Sequence, residues 1–390
     1  MRFDRVPDIA KYLSVIFLLS RFGSNTVWFF LPLFFEIHID SVFLIGVMTS
    51  ITAAVPVLMD IPVGNLVQRA GEKIVIFIGL LLNLMPGLLY ITGIPLFLVL
   101  GKVFEGFVKT MVWNGGWTLS LKSADTDAEA ESNSVFLLGV NLAAIVGPII
   151  GGFLIASHGF SLTFALWIFS AGLGALVFYL YIGLEGRKGF IESIEELFHR
   201  KTYADEKHHL RENWHDLKKP LILILLYSII FSFFWLAVPF LLEDLNASYQ
   251  MMGIIFGVAA FPKLFQIFFG DLGDKLGDLR VVSALAVLLA PILVMMSFTS
   301  SIYLIGVLFL AARLFAAGIS PLIHAFYDSQ VPDEVEGEMT GFLEFSKHTG
   351  QAIGPTMAGA AASIGGIAFS FQIAAFVAFL LFAVSYWFQQ

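Results

Sequence analysis

Lys102, Glu105, Lys109 and Trp113 follow one another at intervals of three, four and four residues inside an otherwise apolar stretch. On an α-helix that spacing stacks the four side chains along one face. An ionisable group at the centre of a membrane-inserted helix costs at least roughly 2.5–3.5 kcal/mol, so the charges retained there face a partner or water. A carboxylate beside a cationic side chain in low dielectric changes its proton affinity when the partner moves or a substrate arrives. That is the chemistry needed to couple proton flow to another event. Glu105 is the first candidate for it, followed by Asp60 and Glu344, with Arg21, Lys109 and Lys347 as charge partners. The alternative is that these are neutralised pairs holding helices together.

Two further polar stripes have helical spacing: Glu344, Lys347, His348 and Gln351, and Arg313, Ser320, His324 and Tyr327. Arg21 and Asn25 lie one turn apart, and Lys263 and Gln266 add to the polar set. Lys102 and Asp328 fall closer to the ends of their segments, where they could extend to the headgroup region. In YSIIFSFFWLAVPF, Phe231, Phe234, Trp235 and Phe240 could form an aromatic wall for an apolar or amphipathic compound. The expected substrate-contacting set is therefore Arg21, Asn25, Lys109, Trp113, Trp235, Arg313, His324, Lys347, His348 and Gln351.

The elements that must carry these residues are membrane spans. Of 390 residues 58% are hydrophobic and 13% charged, and the mean hydropathy is +0.86, which leaves too little polar surface to coat soluble domains of that size. Apolar runs long enough to cross a hydrocarbon layer about 30 Å thick fall near 12–35, 42–66, 74–92, 95–120, 134–157, 160–184, 220–242, 250–271, 281–300, 302–328, 338–362 and 365–388. The fold class is thus all-α integral membrane protein with twelve transmembrane helices. Spans 3, 6, 9 and 12 are almost free of charge, and the charged spans should enclose a pathway. The first apolar stretch lacks a small-residue cleavage site and reads as a retained helix.

Arg2, Arg5, Lys11, Arg69, Lys73, Lys122, Lys275 and Arg280 occupy alternate loops, whereas the loops near EIHIDS, TGIP, ASHG, EDLNASYQ, TSSI and SIGG hold no Lys or Arg. Basic residues resist translocation, so both termini are expected in the cytoplasm of a cell carrying this chain in its plasma membrane. Residues 185–219 are the one long polar segment. They divide a bundle over 1–184 from a second over 220–390. Within the linker Phe190, Ile191, Ile194, Leu197 and Phe198 oppose Glu192, Glu195 and Glu196, a pattern for a helix lying on the membrane face. Its His199, His208, His209 and His215 read as part of a solvated linker rather than a metal site. The chain has no cysteine, and H-E-x-x-H, G-x-S-x-G and G-x-x-x-x-G-K are absent, so no enzyme motif appears.

The two halves repeat. Gly64 and Gly71 in GNLVQRAGEK return as Gly270 and Gly277 in GDLGDKLGDLR, a shift of 206, and Gly147-Pro148 returns as Gly354-Pro355, a shift of 207. Duplicated six-helix halves are a known transporter plan. At these residues the chain resembles the major facilitator superfamily, whose loop between helices 2 and 3 reads approximately G-x-L-A-D-R-x-G-R-K. The resemblance covers the whole chain and implies two pseudo-symmetric six-helix bundles. It also implies a conformational latch at Gly64, Gln68, Arg69 and Gly71, with a second copy at Gly270, Asp274, Lys275 and Gly277. Gln68 and Glu72 depart from the family pattern, and Asp274 keeps the acid. The segment ending GPIIGG, with Gly147, Pro148, Gly151 and Gly152, is similar to the family's antiporter motif, which is associated with export in exchange for protons. Close glycines and a proline kink can also be plain helix packing.

The resemblance implies a secondary active transporter working by alternating access, expected to export hydrophobic or amphipathic small molecules in exchange for protons. It would act as a monomer among membrane lipids, with no cofactor, metal or nucleic acid. The competing expectations are uptake or exchange of a polar or anionic metabolite, lipid flipping, and a receptor or scaffold that transports nothing.

Overall fold

A backbone surrounded by lipid must pair its own N–H and C=O groups, and within one segment only a helix does so. In the computed structural model, which describes residues 6–123, 129–184, 214–331 and 336–389, every regular element among the described residues is helical. Helix α1 (Asp8–Val27) runs through a 3-10 turn at Trp28–Phe30 into α2 (Leu31–Glu36). Next come α3 (Val42–Ala70), α4 (Glu72–Leu82), α5 (Leu84–Tyr90), α6 (Pro95–Ser123), α7 (Glu129–His158) and α8 (Phe160–Tyr181). The second half of the chain holds α9 (Trp214–Asp244), α10 (Tyr249–Val258), a 3-10 turn at Phe261–Phe265, α11 (Gln266–Leu276), α12 (Asp278–Phe298), α13 (Ile302–Asp328) and α14 (Glu336–Trp387).

Among the described residues nine helices are long and apolar enough to cross a membrane, and a pair bent by 47°, Tyr249–Phe265 with Phe268–Leu276, makes a tenth. Helix α6 has the length of a span, 29 residues, but carries Lys102, Glu105 and Lys109. Helix α14 is two arms. Gly366 interrupts it with φ 79° and ψ 174°, and the Ser370 hydroxyl donates to the Ala358 carbonyl at 2.8 Å. Twelve residues of straight helix extend about 18 Å, so the chain doubles back at Gly366. With α6 and the two arms, the expected twelve spans are all present.

The chain forms two compact units, one of Met1–Leu31, Leu58–His199 and Tyr249–Gly257, the other of Pro32–Val57, Arg200–Ser248 and Val258–Gln390. In the first, α1 packs on α7 and α8, and α6 on α4 and α5. Leu13, Ile16, Phe17, Ile76, Leu80, Val112, Phe136 and Phe178 form its core. In the second, α14 packs on α9 and α12, and α12 on α13. Each unit also takes in a stretch from the other half of the sequence.

Those stretches are held by matching glycine crossings. In the second unit a Cβ on Gly46 would overlap the Pro355 carbonyl oxygen, and one on Gly359 would stand 3.3 Å from the Gly46 Cα. In the first, a Cβ on Gly253 would overlap the Pro148 carbonyl oxygen, and one on Gly152 would stand 3.1 Å from the Gly253 Cα. Gly46 and Gly253, Pro148 and Pro355, and Gly152 and Gly359 are each 207 positions apart. The repeat read from the loops therefore extends to helix contacts. The expected surface helix over 190–198 and His199, His208 and His209 lie outside the described residues.

Candidate functional site

Pro86 has no N–H to offer the Leu82 carbonyl, and the helix begun at Glu72 ends there. Asn83 occupies the break between α4 and α5. Its amide nitrogen donates to the Ser20 carbonyl and hydroxyl, both at 3.1 Å, and its oxygen accepts from the Trp167 indole at 3.1 Å. Three helices are tied at one buried amide. Two turns further on, at the end of α5, the Tyr90 ring packs 5.9 Å from that indole and lies over Gly101, where any Cβ would overlap it.

This seating aims the Tyr90 hydroxyl at Glu105, to which it donates a hydrogen bond. Lys102 donates to the other Glu105 carboxylate oxygen at 3.1 Å. Lys102 is only 3% exposed and Glu105 7%, so Lys102 does not extend to a headgroup region as its sequence position suggested; it neutralises the carboxylate one turn away on its own helix. Arg21 on α1 is close enough to interact electrostatically with Glu105, and the Asn25 amide folds back onto the Arg21 carbonyl at 2.8 Å. Lys109 is half-buried. Trp113 belongs to the packing, with Trp117 at 6.2 Å and Phe136 at 6.1 Å. The predicted stripe on α6 is thus a buried ion pair at one end and an aromatic cluster at the other. Asp60 is half-buried on α3.

Tyr90 and Asn83 were missed in the sequence because they lie in the charge-free third span. The available signal was a Tyr and an Asn in that span, with a glycine directly before Lys102.

In the second unit Glu344 of α14 accepts from Lys347 through both oxygens, at 2.8 and 2.9 Å. The Nε2 atoms of His324 and His348 each stand 3.8 Å from the same carboxylate. His324 Nδ1 lies 2.8 Å from the Ser320 carbonyl, and a carbonyl only accepts, so that nitrogen carries the proton. The other ring nitrogen therefore faces Glu344 as a lone pair unless the ring is doubly protonated. Glu344, Lys347 and His348 of one predicted stripe and His324 of the other thus meet in one cluster. Gln351 is buried one turn beyond His348.

Arg313 sits apart from that cluster in its contacts. Its Nε donates to the Ala259 carbonyl at 3.1 Å, an oxygen at the break after α10, and the guanidinium lies 4.6 Å from the centre of the Phe231 ring. Phe231 stacks on Tyr227 and meets Trp235 edge-on at 6.0 Å. Phe234 and Phe240 are buried in packing.

The repeated loops share a backbone. Gly71 has φ 97° and ψ 143°, and Gly277 φ 91° and ψ 129°, a region that L side chains avoid. Glu72, one of the two departures from the family pattern, pairs with Lys122 of α6 at 3.0 Å. Gln68 and Arg69 are exposed at the end of α3, and Gly64 and Gly270 have open space where a Cβ would stand. Asp274 and Lys275 lie on α11. In the GPIIGG segment, Gly147 meets Asn25 and Gly151 meets the Thr26 backbone, so α7 crosses α1 at backbone contact.

A family model described as Major Facilitator Superfamily matches residues 13–234 and 221–390. The quinolone resistance protein NorA of Staphylococcus aureus is 26% identical over 304 residues, covering 76% of this chain and 75% of NorA. Among solved structures, a nucleoside transporter NupG variant superposes with a TM-score of 0.78 at 13% identity, over 98% of this chain and 100% of that one. A POT family transporter in complex with 5-aminolevulinic acid gives 0.76 at 15% identity, over 100% and 98%.

Proposed function

The chain belongs to the major facilitator superfamily, and on that premise we propose that it is a proton-coupled exporter of hydrophobic or amphipathic small molecules, working by alternating access. That it is a multi-pass membrane transport protein and not an enzyme follows from the family; the coupling, direction and substrate are the proposal. The observation that carries it is the buried carboxylate of Glu105, held by Lys102 on its own helix and by Tyr90 on another. A pair on one helix moves as a unit, whereas the Tyr90 contact breaks if α5 shifts against α6. Loss of a donor to a buried carboxylate favours its protonated form. Helix movement and proton uptake are thereby linked at one atom group. Likeness to NorA, a quinolone resistance protein, supports export of such compounds.

On this reading residues 1–184 and 220–390 are the two moving bundles, 185–219 is the cytoplasmic linker, and both termini face the cytoplasm of the plasma membrane. The glycine pairs of GNLVQRAGEK and GDLGDKLGDLR act as latches, and GPIIGG lets α7 pivot on α1. The chain acts as a monomer. In proteoliposomes with an imposed pH gradient, the native protein should drive at least one of a cationic and an anionic lipophilic dye against its gradient, and Glu105→Gln should abolish the gradient-driven component. Undiminished coupled transport in that variant would remove the coupling assignment.

A further inference from the structure

Arg313 is only 8% exposed, and among the described residues it has one hydrogen bond, to the Ala259 carbonyl, and no ion pair. A guanidinium carries five N–H donors, and Nε uses one. The Phe231 ring beneath it attracts the charge through its π face but accepts no conventional hydrogen bond. A buried cation without a counter-charge is costly, and proteins ordinarily pair it. Glu105 and Glu344, by contrast, each have a lysine within 3.1 Å.

The bland account is a clamp. Helix α10 ends at Val258, and the 3-10 turn at Phe261–Phe265 leaves the Ala259 carbonyl outside a regular helix; Arg313 satisfies it. A glutamine or tyrosine would do that without burying a charge. The clamp accounts for one donor and leaves both terminal nitrogens of a planar, bidentate fork, the geometry that fits a carboxylate, sulfonate or phosphate. The fork lies on an aromatic column, Tyr227, Phe231 and Trp235, at i, i+4 and i+8 on α9. Of these rings Phe231 is partly exposed, and it stands directly against the bidentate cation.

We infer that Arg313 and the Phe231–Trp235 column form a subsite for an aromatic or amphipathic anion, the acidic group on the guanidinium and the ring against the column. The inference rests on the transport reading above and narrows its substrate class. It also gives the uncompensated charge a reason, because the substrate supplies the missing partner.

Binding of naphthalene-2-sulfonate to the purified full chain in lipid nanodiscs tests this, alongside the neutral naphthalene-2-sulfonamide and the cationic (2-naphthyl)trimethylammonium. The expected result is binding of the anion about tenfold or more tighter than either analogue. Arg313→Gln should erase the preference, and Phe231→Leu should weaken all three compounds while keeping it. Equal binding of the three by the native protein overturns the inference, whether or not Arg313→Gln folds. So does an unchanged preference in a folded Arg313→Gln protein. The transport reading is tested separately in proteoliposomes: anion binding lost by Arg313→Gln without any gradient-driven movement overturns that reading alone, whereas coupled movement of the naphthyl cation in preference to the anion overturns the subsite alone.

Discussion

Tyr90 reaches Glu105 from a different helix, whereas Lys102 shares the carboxylate's own helix three residues away. Only the tyrosine reports the position of α5 against α6. Tyr90→Phe keeps the ring over Gly101 and removes the hydroxyl, so packing is preserved and one hydrogen bond to a charged group is lost, worth roughly 1.5–3 kcal/mol. Coupled transport in proteoliposomes should fall about tenfold. Adding Tyr90→Phe to Glu105→Gln should change nothing further, because residues acting on one proton site are not additive. Full activity in the single variant would leave Glu105 without its reporter. At this scale the sequence was informative about charge and silent about direction. Glu105 stood out because carboxylates are rare in apolar runs, and Glu344 with Lys347 and His348 followed from helical spacing. Lys102 was misplaced because distance from a span's end does not say which way a lysine points. Its partner one turn on did say so.

Two helix crossings depend on the absence of side chains. At Gly46 and at Gly253 a Cβ would enter the space of a proline carbonyl oxygen, Pro355 and Pro148 respectively, on the helix packed against it. Backbone oxygen in a helix cannot swing aside as a flexible side chain can, so the helices must separate and lose dispersion contacts. Gly46→Ala and Gly253→Ala should each destabilise by about 1–3 kcal/mol, seen as a lower unfolding temperature of the purified protein. The control is Gly64→Ala, where the added methyl meets open space and an alanine is a better helix former. Equal unfolding temperatures for all three would mean that the crossings carry no packing energy. The repeat in the loops was readable because Gly71 and Gly277 sit in short polar motifs that stand out from apolar surroundings. The crossings were not, since a glycine among valines and isoleucines looks the same whether it meets a backbone, a ring or nothing. Only an offset of 207 applied to every glycine would have exposed the pairs.

The number of spans and the family were legible because lipid imposes length and composition on each helix separately, while which polar residues meet is decided by rotations and breaks that hydropathy does not record. The break at Asn83, for example, depends on Pro86, which has no N–H for the Leu82 carbonyl four residues earlier, and the doubling back at Gly366 looks in sequence like one more glycine. Orientation across the membrane rests on the basic loops alone, and the chain offers a direct way to test it. It contains no cysteine, so single cysteines can be introduced without a background signal. Thr92 lies exposed in the loop after α5, and Ser329 lies exposed at the end of α13. Basic-loop alternation puts Thr92 outside the cell and Ser329 inside. A membrane-impermeant maleimide added to intact cells should therefore label Thr92→Cys and spare Ser329→Cys until the cells are lysed. The reverse pattern would invert the topology, and with it the side on which Arg69, Lys73, Lys122 and Lys275 stand. Labelling of both in intact cells would contradict the odd number of crossings, seven, between the two positions that the spans from α6 through α13 require.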